Sequence, residues 1–384
     1  MRTINISEKA ADIHSFIVMD VLERAKELEK AGADIVHFEI GEPDFDTPDV
    51  VKKAGIAAIE AGKTKYTASL GLRELRNAIA DHMRDTYGVT IQPEQALVTS
   101  GTSNALFLAL AAIIDPGDEV IMSDPGYACY PNFVSFLGGK PVTVPLLESE
   151  RWQFSPDRIA AKITHRTKAI LVNAPANPTG MLLDDAVMEK IASLGPLVIS
   201  DEIYHGMVYE GKARSMLEFT DHAIVIDGFS KRYAMTGWRL GHAIAPLPYL
   251  RPLQKMQQNF NISANSFVQW GGVAALREGA SFVEEMRAVF ALRRTAMIDG
   301  LRSIGFPVPT PPQGAFYVMV DARRYCADSL KLSSDILEEA HVAVTPGIDF
   351  GPGGEGYLRL SFATSVENIA RGIERLGRFF TNRR

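Results

Sequence analysis

Short apolar runs punctuate the middle of the chain: ALVTS (96–100), EVIMS (119–123), KAILVN (168–173), PLVIS (196–200) and HAIVID (222–227). Each is continuous rather than alternating, which is the pattern of a strand buried on both faces. Helix-like stretches separate several of them, notably Ser103–Ile114 and Asp184–Ser193. Short apolar runs alternating with helices predict an α/β fold with a parallel sheet covered on both sides. In such a sheet the ligand sits beyond the carboxyl ends of the strands. Nearly every polar cluster of this chain follows a strand.

The last hundred residues differ. VEEMRAVFALRRTAMIDGLRSIG predicts a long helix, FPVPTPPQG a proline-rich link, and AFYVMV alternates like a strand. SVENIARGIERLGRFF is amphipathic, and Thr364 before it stands three residues ahead of Glu367, the spacing of a capping box. These features predict a smaller α+β domain. The 384 residues are themselves too many for one compact core, so two domains are expected. No internal repeat or low-complexity tract stands out.

Composition narrows the function classes. Hydrophobic residues are 46% and charged residues 22%, ordinary for a soluble globular protein. The formal net charge is -6 with both signs mixed along the chain, which argues against nucleic acid as a partner. Two cysteines, Cys129 and Cys326, cannot build a disulfide framework and suit a reducing compartment. The start, MRTINISEKAADIH, lacks the basic-then-apolar pattern of a secretory signal. ALFLALAAII, the longest apolar stretch, falls short of the ~20 residues that span a bilayer. A cytoplasmic soluble protein is expected, with no membrane partner and no metal site.

Several clusters are candidates for chemistry, and each has an ordinary alternative. GPGGEG (351–356) matches G-x-G-x-x-G, but YLRLSF after it alternates like a strand, so a glycine-rich loop is preferred to a dinucleotide site. TSGTSNALFLALAAII (99–114) runs from strand to small hydroxyl residues to helix, which suits a phosphate or a plain helix cap. In NAPANPTG (173–180), Asn177 before Pro178 is held extended and can aim its amide at a ligand, or simply start a turn. SDEIYHG (200–206) sets Asp201 at a strand end with Tyr204 three residues on. GFSKRYAMTGWRLG (228–241) presents Lys231 straight after a buried strand, and Arg239 eight positions later. Alone, each is more simply a cap, a turn or a solvated charge. Together they answer one problem: holding a phosphorylated aromatic aldehyde on a Schiff-base lysine.

At this point the chain resembles a family. NPTG, SDEIY, SK…TGWRLG and RLSFA, in this order, are similar to the fold-type-I pyridoxal-phosphate enzymes, specifically class I/II aminotransferases. The resemblance runs from IGEPDFDTP near position 40 to YLRLSFA near 360. It implies a large cofactor domain with a mostly parallel seven-stranded sheet over 47–280, and a small domain of 1–46 with 281–384. It implies pyridoxal 5'-phosphate as cofactor and a homodimer with shared sites. Lys231 resembles the Schiff-base lysine and proton carrier, and Asp201 the partner of the pyridine nitrogen. Tyr204 and Asn177 resemble the donors to the ring's phenolic oxygen. Gly101, Thr102, Ser103 and Arg239 resemble the phosphate cup, and Tyr127 the ring-stacking aromatic. Arg359 resembles the clamp on the substrate α-carboxylate, and Gly41 a loop glycine against the substrate. Tyr66 resembles the tyrosine that reaches the neighbouring subunit's phosphate.

The reaction implied is transfer of an amino group from an L-amino acid (aspartate, alanine, aromatic or other neutral) to a 2-oxo acid, with 2-oxoglutarate the expected acceptor. Two departures stand out. A phosphate-binding serine often found three residues before the lysine is here Gly228, with Ser230 next to Lys231. A lysine that binds the distal carboxylate in some aspartate-preferring relatives is here Ser103. Rival readings are a C–S lyase or decarboxylase on the same fold, and a non-catalytic regulator. The lyases often have His where Tyr204 stands, and the regulators carry an added DNA-binding domain.

Overall fold

The computed structural model describes residues 6–383. All five apolar runs are strands of one sheet: β1 (Ala96–Thr99), β2 (Glu119–Asp124), β4 (Thr167–Asn173), β5 (Leu197–Asp201) and β6 (Ala223–Gly228). Two further strands complete the seven, β3 (Lys140–Pro145) and β7 (Gly241–Ile244), in the order β1-β7-β6-β5-β4-β2-β3. Only β7 runs against its neighbours, so the sheet is mostly parallel. Neither added strand has a strong sequence signal. β3 lies at the sheet edge, half exposed, where Pro141 and Pro145 are tolerated because an edge needs fewer ladder donors.

Strict alternation along the central strands divides the core in two. Val98, Ile121, Ile170, Val198 and Val225 pack on one face. Leu97, Val120, Leu171, Ile199 and Ile226 pack on the other. Burial on both faces explains why these strands read as continuous apolar runs. Extended to the carboxyl edge, the same period of two sends Asn173 and Asp201 to the face of Leu171 and Ile199. It sends Glu202 and Asp227 to the face of Val198 and Val225.

A second core gathers the two ends of the chain. Val36 and Phe38 pack with Phe290, Phe316, Leu358 and Phe380, and Val36–His37 pairs in parallel with Val342–Ala343. Here β8 (Tyr317–Asp321), β9 (Thr345–Pro346) and β10 (Tyr357–Ser361) form an antiparallel sheet in the order β9-β10-β8. The long helix runs Ala280–Ser303 and the final one Val366–Thr381. The capping-box reading is off by one residue: Ser365 is the N-cap, and its Oγ accepts from Asn368 N at 3.1 Å. Thr364 Oγ1 instead accepts from the Asn368 side chain.

GPGGEG is a loop that contains a short 3-10 turn, Pro352–Gly354, and feeds β10. Its glycines serve close packing: Gly353 N donates to Asp124 Oδ1 at 2.8 Å, and a Cβ on Gly351 would lie 2.5 Å from that oxygen. Among the described residues, no helix is long and apolar enough to cross a membrane.

Candidate active site

A cavity of about 360 Å³ opens at the carboxyl ends of β4, β5 and β6 and at the start of helix Thr102–Ala111. It is lined by Gly41, Thr102, Ser103, Tyr127, Asn177, Asp201, Tyr204, Lys231, Arg239 and Arg359, the great majority of the residues singled out above. Gly101 lies at its edge as the N-cap of that helix. Tyr66 is not among the lining residues; its side chain is 80% exposed on the surface of this chain.

Lys231 sits in a single helical turn, Phe229–Arg232, directly after β6. Its Nζ donates to Gly41 O at 2.5 Å. Burial, with Arg239 and Arg359 nearby, pushes the amine down to about 8, against the opposing pull of Glu42 and Asp201. Gly41 is fixed by space: a Cβ there would lie 2.1 Å from Tyr317 Oη. A substituted residue could not keep that carbonyl against the lysine.

Asp201 ends β5, and its Oδ2 accepts from Tyr130 Oη at 2.7 Å. Burial raises its carboxyl to about 6, while the Tyr130 and Ile203 donors and Lys231 hold it down. Asn173, its partner in β4, donates from Nδ2 to Asp201 O at 2.9 Å and accepts from Asn177 N on Oδ1 at 2.7 Å. One register contact thus fixes both Asp201 and the loop carrying Asn177. Tyr204 Oη pairs with Tyr317 Oη at 2.9 Å.

At the other end, Gly101 (φ 88) and Arg239 (φ 53) both adopt left-handed backbone. Their approach is close enough that a Cβ on Gly101 would lie 2.6 Å from Arg239 Nη2. Arg239 is exposed and donates to Thr236 O at 3.0 Å, with no carboxylate partner among the described residues. Ser230 lines the cavity beside Lys231. Gly228 has a steric account: a Cβ there would lie 2.8 Å from the Thr102 methyl and 3.1 Å from Leu240 O. Thr102 fills the space that a serine side chain at 228 needs.

Arg359 projects from β10 and is only 1% exposed, so it faces inward rather than to solvent. Nη1 donates to Asn177 Oδ1 at 3.0 Å, and Nη2 donates to Glu39 O at 2.6 Å and Thr345 Oγ1 at 3.0 Å. The guanidinium lies 4.2 Å from the Tyr317 ring centroid and 4.8 Å from that of Phe350. Its Nε is buried without a partner. Among the described residues no carboxylate is ion-paired with this guanidinium, and Asp349 is the acid close enough to feel its charge, which leaves the group able to take a ligand anion.

Sequence reasoning missed Tyr130 and Tyr317, the two tyrosines that fix Asp201 and Tyr204. Tyr130 had a signal: it stands one helical turn past Tyr127 in SDPGYACY. Tyr317 had none, because it reaches the site from the second core.

The model of the family "Aminotransferase class I and II" matches residues 33–376. This chain belongs to that family. It is 40% identical to the (5-formylfuran-3-yl)methyl phosphate transaminase of Methanocaldococcus jannaschii, over 97% of this chain and 99% of that one. It is also 40% identical to a probable aspartate/prephenate aminotransferase of Aquifex aeolicus, over 93% and 94% of the two chains. Its fold matches the Thermus thermophilus aspartate aminotransferase solved with maleate at a TM-score of 0.94 and 38% identity, covering 98% of this chain and all of that one. The protein is a transaminase of the pyridoxal-phosphate-dependent class.

Proposed function

We propose that this cavity binds pyridoxal 5'-phosphate on Lys231 and transfers the amino group of an L-amino acid to a 2-oxo acid. The observation that carries the reading is one cavity joining an amine held at about 8, a buried carboxylate, and a buried arginine whose Nε has no partner among the described residues. The donor set fits the cofactor at each of its polar groups. Thr102, Ser103, Ser230 and Arg239, with the helix start at Gly101, supply donors for a phosphate. Asp201 suits a protonated pyridine nitrogen, Tyr204 and Asn177 suit the phenolic oxygen, and Tyr127 offers a ring face.

When bound, the cofactor supplies an aldehyde for the substrate amine and a ring that draws electrons from Cα. The chain's residues supply the rest. A Lys231 amine lowered to about 8 is neutral in a useful fraction at neutral pH, so Nζ can take a proton from Cα and return it elsewhere. Asp201, braced by the Tyr130 hydroxyl, keeps a negative charge against the ring nitrogen. Arg359 grips the α-carboxylate by two parallel N–H bonds, with Asn177 beside it. Tyr204 rather than histidine in SDEIY favours transamination over C–S cleavage.

Tyr66 supports a homodimer with shared sites: its exposed ring cannot serve this chain's own cavity but is free to reach a second copy's phosphate. Borohydride reduction of the purified yellow protein tests the central reading. Cofactor should be fixed to the peptide containing Lys231. Label on another lysine, or no visible absorbance band, refutes it.

A further inference from the structure

Part of the cavity wall is not used by the proposed chemistry. This part comes from the start of helix Ile17–Lys30 and from two helices that flank the sheet: Phe16, Val18, Met19 and Leu22, with Leu106 and Phe133. All six are apolar. Phe16 meets Tyr127 edge to face at 5.8 Å between ring centroids. This arm is tied down rather than loose. Asp349 Oδ1 accepts from Ile17 N at 2.9 Å and Oδ2 from Val18 N at 3.3 Å, and the Asn132 side chain donates to His14 O at 3.2 Å. Asp349 directly precedes Phe350, whose ring lies 4.8 Å from the Arg359 guanidinium. The apolar wall is thus anchored next to the group that would hold the α-carboxylate, where a substrate side chain must go.

Charge tells against an acidic side chain there. The cavity's cations are Lys231, Arg239 and Arg359, and its acids are Glu42 and Asp201. The reading above, on which this inference rests, commits the three cations to the cofactor carbonyl, the phosphate and the α-carboxylate. None of this chain's remains for a distal carboxylate, and burying one unpaired is costly.

We infer that Phe16, Val18, Met19 and Leu22 form a side-chain subsite that selects amino acids with large apolar side chains over dicarboxylic ones. The same subsite must hold the side chain of the acceptor. Apolar 2-oxo acids are therefore favoured over 2-oxoglutarate, against the expectation from family resemblance.

The test is the half-reaction of the holoenzyme, followed by the spectral change of its bound cofactor. L-Leucine, L-methionine, L-phenylalanine, L-alanine and L-aspartate are compared by kcat/KM. Leucine, methionine or phenylalanine should exceed aspartate by at least about tenfold, since apolar pockets discriminate by that order. Aspartate within tenfold of the best of them overturns the inference and leaves the transaminase reading standing. Silence with every donor overturns both. In Phe16→Ala the ratio of phenylalanine to alanine kcat/KM should fall at least about tenfold. An unchanged ratio, with both donors slowed alike, marks Phe16 as merely structural and overturns its assignment.

Discussion

Two neighbouring pairs of charged residues share the carboxyl edge of the central sheet and have opposite surroundings. Asp201 and Lys231 face the cavity. Glu202 and Arg232, each one residue later, face away from it. Lys231 has one hydrogen-bond partner, Gly41 O. Arg232 reaches Tyr87 Oη at 3.3 Å and His82 Nε2 at 3.2 Å, with Asp227 at 3.7 Å. Asp201 accepts from one side chain and one backbone N–H. Glu202 Oε1 accepts from Ser200 Oγ at 2.9 Å, Ser215 Oγ at 3.1 Å and Met216 N at 2.9 Å. The difference is one of purpose. Ionisable groups meant for a ligand are left short of partners, while those that hold the scaffold are enclosed by them. Neutral imidazoles complete the enclosed nest: burial and Arg232 keep His205 and His242 down near 3, and His82 near 2.

The largest expected effect breaks the comparison open. Lys231→Ala should lower kcat by at least about 10⁴-fold, because it removes both the covalent anchor and the proton carrier. In the cofactor-free protein it should leave the unfolding midpoint almost where it was, because the amine is held by a single bond. Arg232→Ala should do the reverse to stability, costing about 3–5 kcal/mol by stranding the Asp227 carboxylate in the core. Urea unfolding of the two variants beside steady-state rates checks both. If Arg232→Ala were as stable as the parent, the scaffold role would be wrong.

A smaller effect separates the two carboxylates. Burial raises Glu202 to about 8, with Asp227 adding to the rise, whereas Lys231 helps hold Asp201 at about 6. A carboxyl raised above its ordinary value stabilises the fold below that ordinary value, and the benefit is lost as pH rises through the folded one. Stability should therefore decline from about pH 5 through pH 8. Glu202→Gln should flatten that decline while keeping the Ser200 and Ser215 contacts. Denaturant midpoints measured from pH 5 to 9 check this, and an unflattened curve would place the titration elsewhere.

The cavity side of this comparison was legible in the sequence and the scaffold side was not. Asp201, Tyr204, Asn177 and Lys231 each stand within a few residues of a buried strand end, so the strand pattern itself points at them. Tyr87 and His82 come from one helix, His205 from a loop and Arg232 from a short helical turn, and singly each looks like a surface or core residue. Nothing in one chain reveals that they meet behind the sheet. The apolar arm at Phe16–Leu22 escaped for a similar reason, since its role depends on Asp349 more than three hundred residues away. Strand edges shifted by a residue, and the cap moved from Thr364 to Ser365, whose Oγ takes the Asn368 N–H while Thr364 takes the Asn368 side chain. Arg359 needed the resemblance, because β10 is buried on both faces and alternation does not mark it.

Arg359 also gives the last and smallest test, because it belongs to both kinds of surroundings. It is enclosed like Arg232, with Nη2 bonded to Glu39 O and Thr345 Oγ1. Like Lys231 it has no salt-bridged acid among the described residues, and its Nε is unpartnered. If its enclosure serves to aim the guanidinium, Arg359→Lys should keep the fold, since a charge and an aliphatic stem remain beside Tyr317 and Phe350. The loss should fall on substrate binding: a point charge cannot make two parallel bonds to a carboxylate, so KM should rise more than about tenfold with a smaller change in kcat. An unchanged KM with a lower unfolding midpoint would move Arg359 to the scaffold side and leave the α-carboxylate without a holder.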